Sequence, residues 1–64
     1  MFVEFQRPGH GPIEIDPKKV VHLEAFKHGN GEDRTIITFE GMVLTAVEVE
    51  GHVDEVKEAL NGKK

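Results

Sequence analysis

Sixty-four residues give one small domain, residues 1–64, with no room for a second core. Twelve acidic residues against eight basic ones leave a net charge of −4, which opposes non-specific binding to nucleic acid, where phosphate neutralisation supplies most of the affinity. Serine, cysteine, tyrosine and tryptophan are absent, which excludes serine and cysteine nucleophiles, a tyrosine acid, disulfides and thiolate metal cages.

The chain opens on period-two alternation, with Met1, Val3 and Phe5 on one face and Phe2, Glu4 and Gln6 on the other. Residues 13–16 repeat it, Ile13 and Ile15 opposing Glu14 and Asp16. Such alternation marks half-buried strands. Between them stands RPGHGP, residues 7–12. A histidine between glycines can present an imidazole to a metal or a phosphate, but phosphate loops lead into a helix N-terminus. This motif leads into a strand, so it reads as a hairpin turn carrying a solvated histidine.

Asp16-Pro17-Lys18-Lys19 predicts a short turn. Val20–Lys27 follows as a third strand, with Val21, Leu23 and Ala25 on one side and Val20, His22, Glu24 and Phe26 on the other. Residues 28–33, HGNGED, form a loop, and Arg34–Glu40 is a fourth strand of β-branched and aromatic residues. Gly41 turns the chain into a fifth strand from about Met42 to Glu50. Val53, Val56 and Leu60 then recur at three- and four-residue intervals, predicting an amphipathic helix over about 52–61. Its acidic first turn suits the helix dipole, as do Lys63 and Lys64 beyond its end, and Asn61-Gly62 supplies a stop. The expected fold is mainly β with one C-terminal helix: a five-stranded antiparallel bent sheet or small open barrel.

Chemistry is sparse along this chain. His22 and Glu24 lie two apart on one strand face, and His28 belongs to the loop, whereas a stable zinc site needs three or four ligands. Glu48, Glu50, Asp54, Glu55 and Glu58 are spread over a strand end and a helix face, where carboxylates are solvated and not poised for acid–base work. No catalytic residue, metal or cofactor is therefore assigned. Lys18, Lys19 and Arg34 all stand near strand starts and form the basic set for an alternative reading, a nucleic-acid-binding regulator.

Surplus apolar surface is the sharper signal, because both faces of the sheet carry apolar residues. One face goes to the core. Phe2, Val20, His22, Phe26, Ile36 and Leu44 fall on the other, which the helix cannot also cover, and are the expected interaction surface. The expected partners are a second copy of the chain, as a homodimer, and a further protein. No apolar run of about 18 residues is present to span a membrane, and MFVEFQRPGH has no basic stretch leading into an apolar segment. The expected setting is cytoplasmic.

The succession IEIDPKKVVHLEAF, RTIITFEGMVLTAVEVEG and HVDEVKEAL resembles the small flagellar FlbD-type proteins. The likeness runs over residues 13–60 and rests on Pro17, Val20, Leu23, Glu24, Thr35, Ile37, Thr38, Gly41, Val53, Glu55 and Val56. Residues 28–33 make a longer loop than that pattern, and Gly51-His52 replaces its approach to the helix. DNA-binding domains of the LytTR type show a similar order of elements. The resemblance implies a non-enzymatic bacterial accessory protein and brings no catalytic residue with it.

Overall fold

The computed structural model describes residues 2–62; Met1 and the lysine pair Lys63-Lys64 lie outside the described residues. Along the chain come β1 (Val3–Gln6), β2 (Pro12–Ile15), a 3-10 turn (Pro17–Lys19), β3 (Val20–Lys27), β4 (Asp33–Glu40), β5 (Leu44–Glu50) and α1 (Val53–Leu60). The five strands form two antiparallel sheets, the hairpin β1–β2 and the meander β3–β4–β5. The fold is mainly β with one C-terminal helix, and the sheets do not close into a barrel among the described residues.

RPGHGP folds as a tight turn. The His10 N–H donates to the Arg7 carbonyl at 3.0 Å, and Gly9 sits at φ 74° behind Pro8. Proline then glycine at the two central positions is the type II pattern, which requires a left-handed residue at the second. Arg7 ties down the far side, its Nε donating to the Gly11 carbonyl at 3.1 Å. The hairpin register pairs Phe5 with Ile13 and Val3 with Ile15, placing their side chains toward the core.

In the meander, Ala25, Thr35 and Val49 form one cross-strand row, and Leu23, Ile37 and Val47 the next. These rows face inward. Phe5, Ile15, Ile37, Val49 and Val56 make the buried centre, with Val3, Ile13, Val20, Leu23, Phe39, Val47, Ala59 and Leu60 packed around it. Burying each large apolar side chain contributes about 1.5–3 kcal/mol, so this cluster rivals the whole stability of so small a domain.

Three details depart from the sequence expectation. The register shifts between Val20 and His22, a bulge that turns Val20 into the core and leaves Val21 52% exposed. The alternation that put Val20 beside His22 and Phe26 is broken there, since an extra residue in one strand reverses the faces on its other side. Next, β5 starts at Leu44 and not Met42, because the Gly41 N–H donates to the Val43 carbonyl at 3.1 Å and commits residues 41–43 to the connection. Finally, the helix is capped by His52, whose Nδ1 accepts the Asp54 N–H at 3.1 Å.

The corner before the helix is anchored to β4. Gly51 lies at φ 114°, its N–H donates to the Asp33 carbonyl at 3.2 Å, and its own carbonyl accepts the buried Thr35 Oγ1 at 3.0 Å. A side chain there is strained by the positive φ, while the space itself is open, an added Cβ coming no closer than 3.4 Å, to Glu55 Oε1. This corner fixes how α1 swings back over β3 and β4.

Candidate functional site

The hairpin and the helix pack on the inner face of the meander. No further element lies over the outer face among the described residues. Register sets its rows: Phe26–Arg34–Glu50, then Glu24–Ile36–Glu48, then His22–Thr38–Ala46, then Glu40–Leu44. Of the expected interaction residues, His22, Phe26, Ile36 and Leu44 stand on this face. Phe26 is 41% exposed and Leu44 65%, while Ile36 is half-buried between Glu24 and Glu48. Val20 leaves the set for the core, through the bulge. Phe2 is 62% exposed but precedes β1 in the other sheet, so it does not join these rows.

Arg34 is the unexpected member. Its side chain is only 10% exposed, although no layer covers it. One guanidinium nitrogen donates to Glu48 Oε2 at 2.8 Å and the other to Glu32 Oε1 at 2.6 Å. The hydrogen bond from Arg34, with its charge, holds the Glu32 carboxyl below its ordinary value. The bond to Glu32, opposed in part by desolvation, raises Arg34 further above its own. Beside it Lys27 Nζ donates to Asp33 Oδ1 at 3.0 Å, and this bond holds the Asp33 carboxyl low.

These pairings decide the basic set. Antiparallel neighbours start at opposite ends, so the starts of β3 and β4 do not converge. Lys18 and Lys19 precede Val20, which pairs with Phe39, while Arg34 pairs with Phe26. That separates them by roughly 20 Å along the strand. Arg34 is also committed to two carboxylates. Lys18, Lys19 and Arg34 thus form no common surface for a phosphate backbone.

The carboxylates and histidines are likewise dispersed. Glu48 holds Arg34, and Asp54, Glu55 and Glu58 are exposed on the helix. His22 and Glu24 approach to 3.9 Å in the open. Among the described residues no three histidine or carboxylate side chains gather as metal ligands. His10 lines an open cleft of about 270 Å³ with Arg7, Pro8, Val47 and Glu48, between the hairpin turn and β5.

Apolar surface is most exposed at the β4–β5 connection, where Met42 is fully exposed, Val43 71% and Leu44 65%. Sequence reading gave Met42 and Val43 to a strand and so missed this projecting tip; Gly41 was the signal for a turn, but not for its length. No helix is long and apolar enough to cross a membrane among the described residues. No protein-family model matches the chain, and no curated protein or solved structure is significantly similar to it.

Proposed function

We propose that this chain is a small non-catalytic interaction domain that works by binding protein, a second copy of itself first. The observation that carries the reading is the uncovered outer face of β3–β4–β5, with Phe26, Ile36 and Leu44 among its residues. Exposed apolar side chains that gather on one face are candidates for an interaction site. The resemblance of the element order to FlbD-type proteins supports an accessory role in a bacterial cytoplasm.

Sedimentation equilibrium of the wild-type chain up to high micromolar concentration tests it. A concentration-dependent dimer of the folded chain is expected. A folded wild-type monomer throughout that range would overturn self-association.

A further inference from the structure

The two edges of the meander differ. On the β5 side, β1 and the turn after it lie close, with Arg7, Pro8 and His10 beside Val47 and Glu48. On the β3 side no strand follows among the described residues, and the whole of Val20–Lys27 is an edge. Native edges of this length are normally blunted by proline, a covering element, a bulge or edge charges such as lysine. β3 contains no proline; its bulge lies at its start and its lysine, Lys27, at its end, which leaves the stretch between them free of either device.

The ladder says which backbone groups are free. The His28 N–H donates to the Glu32 carbonyl at 2.9 Å. Bonded and non-bonded pairs alternate along an antiparallel ladder. His28, Phe26, Glu24 and His22 therefore turn their backbone groups toward β4, and Lys27, Ala25 and Leu23 turn theirs outward. The same alternation follows independently from the Gly51 N–H bond to Asp33 on the other side of β4.

We infer that β3 pairs with β3 of a second copy, antiparallel about a two-fold axis through Leu23, joining two meanders into one continuous sheet. This rests on the self-association proposed above and places its contact at the strand edge, leaving the outer faces of the two copies side by side for the further protein partner. A two-fold through Leu23 sets each His22 opposite the other copy's Glu24, so an imidazole N–H faces a carboxylate that can accept it at both ends of the pair. Leu23 then faces its own copy on the core side, extending both cores toward each other. The neighbouring registers are worse. Centring on Glu24 puts that carboxylate against itself, centring on Ala25 puts Leu23 against Lys27 and Glu24 against Phe26, and centring on His22 stacks two imidazoles. Like charges directly opposite destabilise a strand pair, and opposite charges stabilise it. Within the free chain His22 and Glu24 touch only at 3.9 Å, with side chains 63% and 67% exposed, so both remain available. The bulge at Val20–His22 ends the ladder on one side, and symmetry then ends it on the other, confining the paired segment to Val21–Ala25.

The absence of cysteine makes the register directly testable. His22→Cys and Glu24→Cys each place one thiol on an exposed strand position. In the proposed register a thiol at 22 lies directly opposite one at 24, within disulfide reach, while each lies roughly 8 Å from its own symmetry mate, beyond it. Mild oxidation of the mixed variants should therefore give the covalent heterodimer, with little homodimer from either variant alone. His22→Glu should weaken the dimer roughly tenfold by sedimentation, and His22→Glu combined with Glu24→Lys should restore it. A wild-type dimer without the mixed cross-link and without charge-swap rescue would overturn the edge register while leaving self-association standing. A wild-type monomer would overturn both.

Discussion

The inner and outer faces of β4 are made by alternate residues of one strand, yet they are buried by different means. Inward, Thr35 and Ile37 have no exposure at all, because a hairpin and a helix lie over them. Outward, Arg34 is almost as buried with nothing above it; two carboxylates and its neighbours in the sheet enclose it sideways. The contrast teaches that low exposure has two sources here. One is a second layer of apolar side chains, held by the whole fold. The other is a long side chain lying flat along its own sheet, with its stem covered and its charge satisfied locally.

The largest expected effect separates adjacent residues on the two faces. Ile37→Ala opens a cavity in the layered core and should cost about 2–5 kcal/mol, enough to unfold most of the population of a domain this small. Ile36→Ala, half-buried on the open face, should cost about 1 kcal/mol or less in the monomer. Urea titrations of both variants check this. Equal losses would mean that the outer face is as enclosed as the inner one, and the comparison would break.

Arg34→Met comes next. It keeps the stem and removes the charge, so it separates packing from pairing. The thermal midpoint should fall by several degrees, with Glu32 and Glu48 left facing each other without their shared cation. The reverse, an unchanged midpoint, would show that in-plane burial of the stem alone holds the row together.

Acid should act on the outer face and its end of the sheet before it reaches the core. Glu32 and Asp33 have carboxyls held low by Arg34 and Lys27 in the folded chain. The unfolded chain takes up those protons at higher pH than the folded one. Stability from these pairs is therefore complete above the ordinary carboxylate range, roughly pH 4, and is lost as pH falls below it. Denaturation midpoints from pH 7 to pH 2.5 should drop at the acid end, and less steeply in Arg34→Met. A flat profile would remove the ion pairs from any part in stability.

Much of this contrast could be read from the sequence, and its failures are informative. Alternation located β1 through β4 nearly to the residue, because half-buried strands must alternate wherever one face meets a core. The bulge at Val20–His22 escaped, since no residue in VVHL signals an insertion: each of the four fits either face. Arg34 was legible as a charge but not as a buried one. Its partners lie in a loop and on a strand fourteen residues downstream, and only the β4–β5 register brings Glu48 to it. The helix cap hid in a histidine, a residue type not usual at that position. Pairing and register are long-range facts, and a local pattern carries them only where it is strict.

The smallest expected effects lie where the covering layer ends, at the RPGHGP turn. Here the backbone and the side chain make opposite demands, so two substitutions one residue apart sharpen the contrast between what holds the hairpin over the core and what merely decorates it. Gly9→Ala forces a side chain onto φ 74° and should cost about 1 kcal/mol, loosening a hairpin that carries Phe5 and Ile15 into the core. His10 contributes only its backbone N–H to the turn, which alanine retains, and its imidazole sits exposed at the mouth of an open cleft. His10→Ala should therefore stay within about 0.5 kcal/mol of the parent. A zinc titration followed by the His10 imidazole resonances adds the decisive arm: no shift at micromolar metal is expected, because the cleft offers one histidine and only Glu48 beside it, a carboxylate already bonded to Arg34, where zinc needs three or four ligands. A saturable shift there, together with a larger stability change for His10→Ala than for Gly9→Ala, would turn the turn into a binding site.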